Sequence, residues 1–226
     1  MLTAVSRKEP DLFAFLKIAA STGARRSQIC GLQWADIDLA GRRVTYARGV
    51  VDGDNGIEVK GTKTDRVYRV AIDASTVQVL AEHRARAERV AMECGASLSS
   101  RSFVFSNEAD GSRPWRPDGV THRWIRWRKS IGLDGVRLHD VRHFMATAML
   151  SAGVPVSVVA GRLGHARSAT TLNVYSHFVD AGDEEAADTL ARLMGGPSEG
   201  SSEPNDGQMM GTEAPDVQRP HPGDGA

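Results

Sequence analysis

Apolar periodicity predicts a mainly α-helical (α+β) domain with a small three-stranded antiparallel β-sheet. Helical spacing dominates on both sides of residues 43–72. Within that stretch the residues alternate instead, around the turn Asp52-Gly53-Asp54-Asn55-Gly56. After residue 195 the apolar pattern stops, and Gly, Pro and acidic residues take over. The expected organisation is one folded domain over 1–195 and a disordered acidic Gly/Pro-rich tail over 196–226.

The elements follow in order. Leu12, Phe15, Leu16 and Ala19 share one helical face, and the helix stops at Thr22-Gly23. Ile29, Leu32 and Gln33 suggest a second helix before Trp34, and Asp36, Asp38 and Gly41 punctuate a turn. Residues 43–51, 57–60 and 66–72 read as three short strands. Helices resume near Ser75, with Val77, Leu80, Ala81, Ala87 and Ala91 inward and His83, Arg84, Arg86 and Arg89 on the other faces. After a loop rich in Gly and Pro (106–117), Asp118 is placed to cap a helix with an inward stripe of Val120, Trp124, Trp127 and Ile131. The rest of its surface carries Arg123, Arg126, Arg128 and Lys129 with no acid among them, either a solvated face or one that meets phosphates. His139 to Ala152 is a further helix closed by Gly153. Pro155 suits a helix N1 position, Gly164 a C-terminal cap, and Ser168 the cap of a helix running through Tyr175. Asp183 to Met194 forms a last amphipathic helix, with Ala186, Ala187, Leu190 and Leu193 on one side.

The chain has 28 basic and 28 acidic residues, but they are unevenly spread. Residues 196–226 hold six acids and one base, so the body carries five excess positive charges. A body that is modestly basic is compatible with a polyanionic partner without demanding one. No run approaches the roughly 18 apolar residues of a membrane span. The N-terminus lacks a signal-peptide core, and two cysteines, Cys30 and Cys94, build neither a disulfide framework nor a zinc site. The expected compartment is the cytoplasm, with no membrane association, cofactor or metal.

Taken singly, the polar residues say little. His139 and Arg142 share a helical face at a spacing of three. Arg25 follows Thr22-Gly23, Lys63 lies among Lys60, Thr64 and Arg66, His165 follows Leu163-Gly164, and Tyr175 comes late. Together, two arginines, two histidines, a lysine and a tyrosine suit a phosphodiester. Arginines clamp non-bridging oxygens with charge-assisted bonds and favour the charge of a pentacovalent transition state. Histidine and lysine move protons, and a tyrosine of pKa about 10 needs such help to attack. The implied chemistry is metal-free covalent transfer through a phosphotyrosine.

In this arrangement the sequence resembles the tyrosine recombinases, or phage integrases. Thr22-Gly23-Ala24-Arg25-Arg26-Ser27-Gln28 is similar to the family's first arginine box, followed by Leu32-Gln33-Trp34-Ala35-Asp36-Ile37-Asp38. Thr62-Lys63-Thr64 resembles the β-hairpin lysine segment, and His139-Asp140-Val141-Arg142-His143 the His-x-x-Arg box. Leu163-Gly164-His165 and Thr171-Leu172-Asn173-Val174-Tyr175-Ser176-His177 complete the series in the family's order over about residues 10–195.

The resemblance implies the following roles. Tyr175 attacks the scissile phosphate of double-stranded DNA and forms a 3′-phosphotyrosyl link. Arg25 and Arg142 hold the phosphate, and Lys63 protonates the leaving 5′ oxygen. His139 assists the nucleophile's proton, and His165 hydrogen-bonds the phosphate. The link conserves bond energy, so a second 5′-hydroxyl displaces Tyr175, giving site-specific recombination or integration. The resemblance also implies a homotetramer on DNA, with helix 183–194 either docking on a neighbouring subunit or packing on its own domain. An accessory DNA-bending protein is a further partner it admits.

Two departures stand out: Gln28 replaces the family's acid, and Val141 the usual leucine. About 11 residues precede the first helix pattern, so the family's separate N-terminal core-binding domain is expected to be absent. The alternative function is therefore a truncated, catalytically inactive DNA-binding remnant. A type IB topoisomerase shares the chemistry, but the hairpin lysine and the Leu-Gly-His to Tyr spacing look more like the integrase branch.

Overall fold

The computed structural model describes residues 8–53, 56–61, 67–165, 169, 171, 189, 190 and 193. Lys63, Tyr175, the expected Ser168 cap, most of the 183–194 helix and the 196–226 tail lie outside the described residues. The chain divides into two units, 1–183 and 184–226, and the architecture below belongs to the first.

Helix α1 spans Pro10–Thr22 and α2 Arg26–Cys30. A 3-10 turn at Trp34–Asp36 leads into β1 (Ile37–Asp38), β2 (Arg43–Tyr46), β3 (Arg48–Gly53), β4 (Gly56–Gly61) and β5 (Tyr68–Ala71). Among the described residues the helices α3 (Ala74–Glu93), α4 (Pro117–Ser130), α5 (Leu138–Ser151) and α6 (Val156–Arg162) follow.

The fold class is mainly helical with a small antiparallel sheet, as the sequence predicts. The strands divide differently in detail. The run 43–51 breaks at Ala47 into β2 and β3, which enter separate sheets. The three-stranded sheet has the order β1-β2-β5, with Val44 opposite Val70 and Tyr46 opposite Tyr68. The region expected as a turn near Asp38 supplies β1, pairing Ile37 with Val44. β3 and β4 form a separate two-stranded hairpin, with Val50 opposite Val59. A hairpin alone is marginal in water. Here Val50 is fully buried and anchors it to the core.

Helix α1 is the centre of the domain. Pro10 suits its first turn because the missing N–H needs no partner there. Leu12, Phe15, Leu16 and Ala19 are buried as expected, and Ala14 and Ile18 as well. Burying Phe15 contributes roughly 2–3 kcal/mol relative to exposure. Its ring meets Phe105 edge-on at 5.1 Å and stacks with Trp115 at 6.1 Å. Leu12 and Leu16 instead pack on Trp124 and Trp127 of α4.

Five sequence expectations are corrected. His83 is 4% exposed, not on an outer face. Its Nε2–H donates to the Val104 carbonyl at 2.8 Å, and Nδ1 lies 3.1 Å from Asp11 Oδ1. These partners offset the cost of burying a polar ring, while the expected inward Ala81 is exposed. Asp118 is not the cap of α4 but lies in its first turn after Pro117, and Ile131 is exposed past the helix end. Pro155 stands just before α6 rather than at its first helical position.

Candidate active site

The Arg25 segment is held from beneath. Gly23 ends α1 with φ +66°, a conformation that glycine adopts without a Cβ penalty, and its N–H donates to Ala19 O at 2.9 Å. Thr22 is fully buried and its hydroxyl donates to Ile18 O at 2.7 Å, with Tyr46 Oη 2.8 Å away. Arg25 then takes an extended backbone, and its N–H donates to Gln28 Oε1 at 3.1 Å. Its side chain is exposed, available to a ligand arriving from solvent. Gln28 thus keeps an acceptor at the position where the resemblance leads one to expect an acid. The same oxygen accepts the Tyr68 hydroxyl at 2.9 Å.

Arg142 lies on α5 and is 7% exposed. A buried guanidinium requires partners, and this one joins two segments distant in sequence. Its Nη1–H donates to the Gly23 carbonyl through a short contact. Its Nη2 donates to Leu163 O at 2.8 Å and approaches His165 Nε2 at 2.8 Å. One side chain therefore ties the loop that carries Arg25 to the turn that carries His165.

His165 follows Gly164, which takes φ +64°. Arg142 has no acceptor atom, so His165 Nε2 must accept and the ring proton sits on Nδ1. Nδ1–H then donates to Thr171 Oγ1 at 2.8 Å. Burial, reinforced by the Arg142 and Arg25 charges, brings His165 down to about 4. The ring is neutral at neutral pH.

His139 sits in the first turn of α5, exposed, three residues from Arg142. Its pKa is lowered by partial burial, then by His143, whose ring meets it edge-on at 4.7 Å, and by Arg142. A neutral imidazole at neutral pH is a proton acceptor. The start of α5 is fixed by Asp140, which accepts the Arg137 N–H at 2.7 Å, and by Trp124 and Arg128, which both donate to Val136 O.

Arg25, His139 and Arg142 line one cavity of about 470 Å³. Its apolar wall includes Phe15, Ala19, Ala24, Ile29 and Leu138, and Arg26, Ser27, Thr121 and Arg137 add polar groups. Of six site residues expected from sequence, four are described. Three share this cavity, and His165 joins them through Arg142. Lys63 falls between β4 and β5, and Tyr175 beyond Thr171, both outside the described residues. No group of three or more His, Cys, Asp or Glu side chains able to hold a metal ion occurs among the described residues.

Sequence reasoning gave no role to Tyr68, Thr171 or His143. For Tyr68 a signal existed. It alternates with Arg69 on β5, sharing the buried face with Val70, and an inward tyrosine requires a hydrogen-bond partner. Among the phosphate-facing candidates, Arg123 lies over the Trp115 ring at 4.5 Å and Arg128 is bonded to Val136 O, whereas Arg126 and Lys129 are exposed.

The model of the phage integrase family matches residues 2–181. The chain is 26% identical over 200 residues to a tyrosine recombinase XerC-like protein of Caldanaerobacter subterraneus, covering 81% of this chain and 50% of that protein. It is 35% identical over 167 residues to tyrosine recombinase XerC 2 of Ralstonia nicotianae, covering 73% of this chain and 42% of the relative. The chain thus spans about half the length of the curated relatives it matches, or less. The fold matches the Tn1549 transposon integrase, solved in complex with circular intermediate DNA. The TM-score is 0.69 at 20% identity, covering 85% of this chain and 63% of that one. No described helix is long and apolar enough to cross a membrane. The chain belongs to the phage integrase family.

Proposed function

We propose that this chain performs site-specific DNA recombination, cleaving and rejoining strands through a 3′-phosphotyrosyl intermediate at Tyr175. The observation that carries the reading is the convergence of Arg25, His139 and Arg142 on one cavity, with His165 bonded to Arg142. Relatives named as recombinases and integrases, and a fold neighbour solved on DNA, support it.

The chemistry follows from the groups present. Arg25 and Arg142 bind the non-bridging oxygens of the scissile phosphate and stabilise the added charge as phosphorus becomes five-coordinate. His139, neutral at working pH, takes the Tyr175 hydroxyl proton as the O–P bond forms. The bond from phosphorus to the 5′ oxygen breaks, and Lys63 supplies that oxygen with a proton. His165 hydrogen-bonds the phosphate, which requires its Nε2 to exchange the Arg142 donor for a proton of its own. Attack by a second 5′-hydroxyl reverses each transfer and releases Tyr175.

The choice of Tyr175 is supported by the commitments of the other two tyrosines. Tyr46 is 1% exposed, hydrogen-bonded with Thr22 and pushed far up by burial. Tyr68 is 9% exposed, bonded to Gln28 and pushed up to about 12. Arg126 and Lys129 on α4 suit contacts to flanking phosphates. Leu190 and Leu193 are 57% and 80% exposed, apolar surface consistent with docking on a neighbouring subunit in a DNA-bound homotetramer. The reaction belongs in the cytoplasm, where chromosomal or mobile-element DNA is available.

A nicked suicide substrate drawn from flanking attachment sequence tests the reading on a denaturing gel. A covalent adduct lost in Tyr175→Phe is expected. Salt-sensitive DNA binding with no adduct contradicts it and leaves a binding protein.

A further inference from the structure

Tyr68 touches two of the segments that hold the phosphate site. Its hydroxyl donates to Gln28 Oε1, and that oxygen also accepts the Arg25 backbone N–H. Its ring lies against Gly164, where an added Cβ would stand 2.5 Å from Tyr68 Cε1. Gly164 immediately precedes His165. Tyr46 stacks on the same ring at 5.2 Å. Tyr68 opens β5, directly after the segment that contains Lys63.

We infer that Tyr68 is a positioning residue for the phosphate site, acting through Gln28 on Arg25 and through Gly164 on His165. The inference rests on the proposed reading of that site. An amide side chain presents an acceptor at one end and two donors at the other, and the ends exchange by a half-turn. Gln28 Oε1 meets two donors, so the half-turn would set N–H against the Arg25 N–H, which cannot accept, and would turn the Tyr68 hydroxyl from donor to acceptor. The Tyr68 hydroxyl remains a donor throughout the working range because burial raises it. With the amide locked, the Arg25 backbone has a fixed partner and its exposed side chain leaves from a fixed point. A carboxylate at position 28 would need no such lock, since both oxygens accept. Tyr68 therefore supplies what the acid-to-Gln28 departure removes. The ring, held by Tyr46 and pressed by Gly164, sets the depth of the turn that presents His165 to Arg142.

The test uses the full chain with Tyr68→Phe, Gln28→Glu and the double variant. The ring resonances of His165 are followed by NMR during titration with inorganic phosphate, and strand cleavage is measured on the suicide substrate. Tyr68→Phe is expected to weaken phosphate binding about three- to tenfold, the size of one net hydrogen bond. It should slow cleavage at saturating DNA by a similar factor while leaving the KM for DNA within about twofold, because most DNA affinity comes from other phosphates. Gln28→Glu in the Tyr68→Phe background should restore both to within about twofold. Unchanged phosphate binding in Tyr68→Phe overturns the inference. So does a loss that Gln28→Glu fails to rescue, or a wild-type His165 that does not respond to phosphate. A wild type that binds phosphate but forms no adduct sinks the recombinase reading instead, and the phosphate titration still decides the role of Tyr68.

Discussion

Substituting Gly23 by alanine attacks the site from beneath, through two separable costs. The first is conformational: φ +66° costs a residue with a Cβ about 1 kcal/mol. The second is steric. The new Cβ would lie 1.9 Å from Met145 Cε and 3.0 Å from Leu163 Cδ2. Met145 is packed with Ala146, Val159 and Leu163, so its thioether must be displaced into occupied space. Overpacking of this kind costs about 1–3 kcal/mol. The sum is about 2–4 kcal/mol, with a flexible methionine favouring the lower half. Urea unfolding followed by tryptophan fluorescence measures it on Gly23→Ala, Met145→Ala and the double variant. Met145→Ala alone should cost about 2–5 kcal/mol by leaving a cavity. In the double variant the new methyl occupies part of that space, so the two costs should fall short of their sum by about 1–3 kcal/mol. Additivity within about 0.5 kcal/mol would refute the steric argument. Because the Gly23 carbonyl is a partner of Arg142, DNA cleavage should fall in Gly23→Ala as well.

Other outcomes follow from the same contacts. His83→Ala should destabilise the domain by about 2–4 kcal/mol in urea, since it removes a buried ring and leaves the Val104 carbonyl unpaired. The His83 hydrogen bond is also the largest cause holding Asp11 below its ordinary 3.8. A depressed carboxyl contributes stability above its unfolded pKa and loses it as the pH falls through the folded one. The loss of stability below about pH 4 should therefore be shallower in His83→Ala than in wild type. Cleavage rate should fall on acidification with its midpoint below about pH 6.5, the ordinary histidine value, because His139 must be neutral to accept a proton and its pKa is lowered. A rate that rises on acidification below that value would contradict the role of His139. Replacing Arg126 and Lys129 with alanine should weaken DNA binding equally for all sequences and reduce the salt slope by about two.

Much of the site could be read from the sequence because its chemistry is written in residue types that have few other reasons to occur together. Charge and order single out Arg25, His139, Arg142 and His165, and three of them share a cavity while the fourth is bonded to Arg142. The Gln28–Tyr68 bond was invisible, since it joins residues 40 apart and neither side chain is diagnostic alone. The burial of His83 is hidden in the sequence because its polarity suggests exposure. On α3 it continues the buried stripe of Thr76 and Leu80, and satisfied hydrogen bonds replace hydrophobicity as the reason for burial. The division of 43–51 into two strands was also out of reach. Alternation continues through Ala47, and only the partners, β5 for one half and β4 for the other, separate them.

The central claim, attack on DNA by Tyr175, is tested most directly by locating the covalent bond. Trypsin separates the three tyrosines onto peptides 44–48, 67–69 and 168–192. Mass spectrometry of the nuclease-trimmed adduct should find a nucleotide on Tyr175 alone, within peptide 168–192. A nucleotide on Tyr46 or Tyr68, or an unmodified Tyr175 in a chain that cuts DNA, would contradict the account.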